Sequence, residues 1–197
     1  VTVEPEYPAL MNRNLMAVSG IDTLRIGADR IQLMQSMGDA AAFSASLRGL
    51  ALDLSKIVSD LRLMVSGPRT GLDEIVLPAV QPGSSIMPGK VNPVMAEALC
   101  QAASFVIGAD LTVTIAGQAG NFELNVFRPL IAHNVLQSIR LLADGARSFN
   151  DHCAIGIEPK DLVAELKDGK SIADVATEHG VPLDDVKAQI TSDATAR

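Results

Sequence analysis

Tryptophan is absent and aromatic residues make up only 3% of the 197 positions, so a core built around large rings is excluded. Packing must rest on Leu, Ile, Val, Ala and Met, the inventory of helix bundles. Cysteine is equally scarce. Cys100 and Cys153 fall in apolar stretches of helical periodicity and have no metal-ligand spacing; this excludes a disulfide scaffold and points to buried free thiols in a reducing cytosol. Positive charge is also in short supply: 16 Lys and Arg against 23 Asp and Glu give a net charge of −7. Nucleic-acid affinity comes largely from counterion release by clustered Lys and Arg, so nucleic acid is excluded as the main partner. No run of about 18 uncharged apolar residues could span a bilayer, although 48% of residues are hydrophobic and the mean hydropathy is +0.25. The apolar segments read as buried helices, with no membrane partner. Val1 is not an initiator Met and no basic segment leads into an apolar core, so neither signal peptide nor natural start is visible and the chain reads as a fragment.

What is present is mostly helical pattern. Residues 1–20 give a short helix ending at Gly20. From Asp29 to Val65 one long amphipathic helix is expected, kinked near Gly38 or Gly49. Its apolar stripe is Leu47, Leu50, Leu54, Ile57, Leu61 and Met64, with Arg48, Asp53, Lys56, Asp60 and Arg62 off it. At 1.5 Å per residue it would reach about 50 Å. Residues 66–93 then hold Gly67, Pro68, Gly71, Pro78, Pro82, Gly83, Pro88, Gly89 and Pro93, a density of breakers that only a long loop tolerates. Long loops inside compact domains tend to be functional.

Asn92-Pro93 reads as an N-cap followed by proline at the first helical position. The helix it opens, running toward Ile115, and the next, about Glu123 to Phe149, look apolar all round. A helix without a polar face must be buried on every side, so other subunits are expected to cover both. After Gly156 the chain turns polar, with short helices expected near 161–167, 171–179 and 183–190. The fold class is therefore all-α: a long-helix bundle over 1–157 carrying a catalytic loop at 66–93, and a small helical tail over 158–197.

The informative string is Gly83-Ser84-Ser85-Ile86-Met87-Pro88-Gly89-Lys90-Val91-Asn92-Pro93, running on to Glu97. It offers a glycine-flanked hydroxyl, a cation six residues on, an amide at a helix start and backbone N–H groups near the positive end of a helix. Such a set suits a dicarboxylate. By residue type alone an ordinary serine-rich surface loop would serve as well, and Glu97 could be a first-turn carboxylate favoured by the helix dipole.

The full string resembles the signature of the aspartase/fumarase superfamily: class II fumarases, aspartate ammonia-lyases and their relatives. The resemblance extends through Ser66-Gly67-Pro68-Arg69 and through Gly120-Asn121-Phe122-Glu123-Leu124-Asn125-Val126-Phe127-Arg128-Pro129, and covers roughly residues 4–159. It implies anti elimination across C2 and C3 of a succinyl group to give fumarate, with no cofactor and no metal. Ser84 would be the general base, used as an oxyanion because a free hydroxyl is too weak a base at neutral pH. Loop closure would then belong to the mechanism. Lys90 and Asn92 would hold the aci-carboxylate formed when the C3 proton leaves, Ser85 would bind substrate, and Arg69 would anchor the site. Glu97 matches the glutamate that pairs with a histidine of another subunit. Arg128 and Asn121 are weaker candidates, and His133, His152 and His179 match no catalytic histidine. The resemblance also implies a cytoplasmic homotetramer with active sites shared between subunits.

Two departures stand out. The family's N-terminal segments, with their Thr, Ser and Asn substrate ligands and the catalytic histidine, are not in this chain, so turnover by the chain alone is not expected. Residues 158–197 carry nine acidic and five basic residues. Ser171 to Val181 has helix-turn-helix spacing, but the net charge argues against docking on phosphates. Between activities, Gln35-Ser36-Met37 and Pro88 to Glu97 look more like aspartate ammonia-lyases, and Asn121 to Leu124 and Phe149 to His152 more like fumarases. The reading leans to L-aspartate deamination, with malate–fumarate hydration as the alternative and a non-catalytic oligomeric bundle with a partner-binding tail as the second.

Overall fold

A computed structural model describes residues 3–67, 69–160, 169–178 and 180–195. The expected helix at 161–167, together with Pro68 and His179, lies outside the described residues. The all-α class holds. Helix α1, Tyr7–Ser19, has Pro8 in its first turn and stops at Gly20, whose left-handed φ of 71° lets its N–H donate to the Met16 carbonyl at 2.9 Å. Helix α2, Arg30–Gln35, is capped by Asp29, which accepts from the N–H groups of Ile31 and Gln32 at 3.0 and 2.9 Å.

The single helix expected from Asp29 to Val65 is in fact two. Ser36 adopts an extended conformation, φ −74° and ψ 129°, which ends α2, and α3 begins afresh at Gly38 and runs to Met64. Gly49 causes no break inside it. The expected stripe is also displaced. Leu47, Leu54, Leu61 and Met64 do pack inward, but Leu50 and Ile57 stand half-exposed, while Ala51 and Val58 are completely buried. Periodicity drew the stripe through the largest side chains, whereas close packing of helices selected the smaller ones on the neighbouring row.

Two compact units form, residues 1–46 with 109–136 and residues 47–108 with 137–197. In the first, Val113, Ala116 and Ile131 are buried together, flanked by Met37, Ala40, Ala41 and Val135. In the second, Ala51 packs with Ala103, Val106 and Leu142, and Val58 packs with Ala96 and Leu99. A further cluster joins Ile75, Leu77 and Cys153.

Helix α4, Val94–Gly117, is apolar all round as expected, and by length and composition alone it could cross a membrane. Its buried row of Ala96, Leu99, Ala103 and Val106 is that of a core helix. Helix α5 differs from expectation in both respects. It starts at Arg128, not Glu123, and ends at His152, because residues 121–124 form a turn closed by an Asn121–Leu124 bridge, with Phe122 at φ 52°. It is amphipathic, with Arg140, Asp144 and Arg147 exposed. A two-residue antiparallel pair joins β1, Ile75–Val76, to β2, Glu158–Pro159. Helices α6, Ile172–Glu178, and α7, Leu183–Thr195, follow and pack on each other. Ser171 and Asp174 cap α6 reciprocally through N–H bonds of 2.9 and 3.1 Å.

Both cysteines are free thiols, Cys153 buried and Cys100 partly exposed. Burial pushes the Cys153 thiol above its ordinary range, so it stays protonated where a solvated thiol would ionise. The thiolate is the reactive form, and an aromatic disulfide reagent at mildly alkaline pH is expected to modify Cys100 at least about tenfold faster than Cys153. Equal rates would contradict the buried placement. Because the folded-state value is the raised one, the associated stability is present at neutral pH and is lost as pH rises past the unfolded thiol's range through the folded one.

Candidate active-site loop

The loop at 66–93 is rooted before it is free. At its start the N–H of Asp73 donates to the Ser66 carbonyl at 2.7 Å and that of Glu74 to the Met64 carbonyl at 2.9 Å, folding the chain back over the end of α3. This close approach requires Gly71, where a Cβ would lie 2.1 Å from the Ser66 carbonyl oxygen. Strand β1 and buried Leu77 follow, and Pro78 lies against Gly156, where a Cβ would come within 2.5 Å of its ring.

Beyond that root the loop closes on itself. The Gly83 N–H donates to the Lys90 carbonyl at 2.7 Å, an approach that a Cβ at Gly83 would obstruct at 2.8 Å. Gly89 makes the return turn at φ 77°. Asn92 was expected to cap α4. Instead its amide donates to the Gly83 carbonyl at 3.4 Å, and the Pro93 carbonyl accepts from the Glu97 N–H at 3.0 Å to open the helix. The side chain is used to close the loop, not to satisfy the helix end.

Within this ring Ser84 Oγ accepts from the backbone N–H groups of Ile86 and Met87 at 3.2 and 3.3 Å. Two donors converging on one hydroxyl oxygen favour negative charge there. Ser84 is half-buried, whereas Ser85 and Arg69 are exposed. Glu97, in the first turn of α4, sits 3.8 Å from the Arg62 guanidinium.

Two open cavities flank the loop. One of about 510 Å³ is lined by Ser84, Met87, Pro88 and Lys90 among others. The second, about 770 Å³, is lined by Lys90, Asn92 and Glu97 together with Arg62, Asp73 and Lys160. Lys90 thus borders both, while Ser85 and Arg69 border neither. Arg62, Asp73 and Lys160 were not anticipated as site residues. Arg62 could have been suspected, since a cation in the last turn of a helix leading into a glycine-rich loop is well placed for it. Among the described residues no group of three or more His, Cys, Asp or Glu is placed to hold a metal. Asn121 and Arg128 lie in the other unit.

Comparison with known proteins gives this loop a context. The lyase family profile matches residues 1–108, the loop included. A class II fumarate hydratase of Ralstonia nicotianae is 48% identical over 161 residues, 81% of this chain and 35% of that protein. An aspartate ammonia-lyase of Bacillus subtilis is 49% identical over 162 residues, 82% of this chain and 34% of that protein. Among solved structures, a fumarate lyase of Brucella melitensis in native form superimposes with a TM-score of 0.74 at 48% identity, covering 78% of this chain and 36% of its own. The chain thus spans about a third of the length of the curated relatives it matches. A match over more than half the residues, at near 50% identity and with one backbone arrangement, shows that the chain belongs to the aspartase/fumarase superfamily of lyases.

Proposed function

We propose that this chain supplies the base-bearing loop of a fumarate-forming lyase. The observation that carries the reading is the pair of backbone N–H groups on Ser84 Oγ, which lowers the cost of using a serine as an oxyanion base. Ser84 takes the C3 proton of a succinyl substrate, and the C3–H electron pair moves onto the adjacent carboxylate. Lys90 and Asn92 hold that doubly charged aci-carboxylate; Ser85 contributes to binding of the substrate itself, and Arg69 anchors the site. The pair then returns to form the C2–C3 double bond as the group on C2 departs. Glu97, bordering the same cavity as Lys90 and Asn92, pairs with a histidine brought by another subunit.

The sequence reading leaned to aspartate as substrate. The relatives shift that preference: class II fumarate hydratases recur among them, although identity to the aspartate ammonia-lyase is no lower than to the Ralstonia fumarase. Malate–fumarate interconversion is therefore the first proposal and aspartate deamination the second. A cytoplasmic homotetramer with shared sites is proposed with it. In support, Phe105, Leu111 and Ile115 of α4 are at least half-exposed within this chain, and large apolar patches of that kind ask for cover. The bundle over 1–157 and the tail over 158–197 are proposed as two domains of the sequence, the start of the tail tied to the bundle by the β1–β2 pair.

The test follows fumarate by its ultraviolet absorbance, with L-malate and L-aspartate offered separately to the chain alone and to the chain mixed with the N-terminal two-thirds of a relative. Fumarate from malate on mixing is the expected result, and fumarate from aspartate would select the second reading. No fumarate in any mixture that assembles would leave a non-catalytic bundle.

A further inference from the structure

Besides Arg62, which faces Glu97, the larger cavity has in its wall two oppositely charged residues to which the proposed chemistry gives no part, Asp73 and Lys160. They are 87 positions apart in sequence, yet Lys160 Nζ donates to Asp73 Oδ1 at 2.5 Å. Their side chains are 32% and 17% exposed, so the pair is better shielded than an ordinary surface ion pair, whose worth is close to nil. The backbone is joined at the same place: the Lys160 N–H donates to the Glu74 carbonyl at 2.8 Å, next to the Ser66–Asp73 bond already described. Asp73 itself is held at φ 52°, in the left-handed region that non-glycine residues adopt reluctantly. Gly67 makes room for it, since a Cβ there would lie 2.6 Å from the Asp73 Cβ. Backbone strain, an adjacent cleared glycine and a long-range partner all converge on one carboxylate.

We infer that the Asp73–Lys160 ion pair is a latch that fixes the root of the Ser84 loop against the segment following α5, which makes both positioning residues for the site. β1 leads directly from Asp73 into Leu77 and Pro78, and Ala79, the next residue, borders both cavities. A shift of the root therefore reaches Ser84 through five residues of chain. That the latch serves catalysis rests on the fumarate-lyase reading; that it holds the loop does not.

The test is amide hydrogen exchange over residues 79–92, read by mass spectrometry without substrate, in the parent chain, Asp73→Asn, Lys160→Met, the double variant and Lys160→Arg. Asn tolerates the left-handed conformation, so Asp73→Asn removes charge without new strain, and the buried amides of α4 report whether each variant stays folded. Exchange over 79–92 is expected to rise about tenfold in each single variant, no further in the double, and little in Lys160→Arg. Parent-like exchange in folded single variants, or a double variant equal to the product of the two, would overturn the latch. In an assembled active enzyme the same variants should lower kcat more than they raise KM; unchanged kcat beside a loosened loop would overturn the positioning role while leaving the fumarate-lyase reading intact.

Discussion

Replacing Ser84 with Ala in the chain assembled with the N-terminal two-thirds of a relative is expected to lower turnover at least about a hundredfold, the scale of a lost acid–base group. The N–H groups of Ile86 and Met87 converge on the hydroxyl oxygen, and alanine leaves nothing there to take a proton. The loop should survive the change, because its closure runs through the Gly83–Lys90 backbone bond and the Asn92 amide. Substrate affinity should therefore change far less than kcat. Ser85→Ala is the comparison. Ser85 is exposed and borders neither cavity, so its loss should act on KM and leave most of kcat. Steady-state kinetics on both variants decide the matter, and undiminished turnover by Ser84→Ala would remove Ser84 from the mechanism.

The second large effect is on stability. Asn125 is 1% exposed, and its side chain does the work of two helix caps. Its amide nitrogen donates to the Ala116 and Gly117 carbonyls at 3.0 and 3.3 Å, carbonyls at the end of α4 that have no partner within the helix. Its oxygen accepts from the Phe127 N–H at 2.8 Å, immediately before α5 begins. Asn125→Ala strands the Gly117 carbonyl and the Phe127 N–H and leaves the Ala116 carbonyl only the Ala119 N–H at 3.3 Å, at a cost of about 1–3 kcal/mol for a buried unsatisfied group. A total near the top of that range, about 3 kcal/mol, is expected. Urea denaturation should show a lower midpoint with an unchanged slope. Asn121→Ala, which removes one exposed bond of 3.3 Å to the Ala119 carbonyl, should cost no more than about 0.5 kcal/mol. Equal losses in the two variants would contradict the capping role.

How much of this was legible in the sequence varied with the range of the interactions involved. The loop from Gly83 to Pro93 was readable because glycine, proline and the Ser–Lys–Asn spacing are local signals, and the breaker density alone located it. The helices were readable in kind but not in number or detail. The break at Ser36 depends on one residue's backbone conformation, and the buried row through Ala51 and Val58 depends on the faces presented by other helices. Asn125 was read as lying within a helix, since nothing local shows that its amide reaches back to Ala116. Asp73 and Lys160 carried no signal at all, because their meeting is a property of the folded chain.

The backbone bond between Gly83 and Lys90 has a mechanical consequence. If the loop closes over substrate, a ring braced across its base would travel as one piece, the Ser84 hydroxyl and the Lys90 carbonyl keeping their spacing while the ring pivots on the segment at Ala79–Pro82 and at Pro93. Engagement would then cost the entropy of aligning a single plate, not that of ordering each of eight separate residues. Mutations that sever the brace should slow the stroke itself, whereas changes at the two pivots should alter only how far the plate swings.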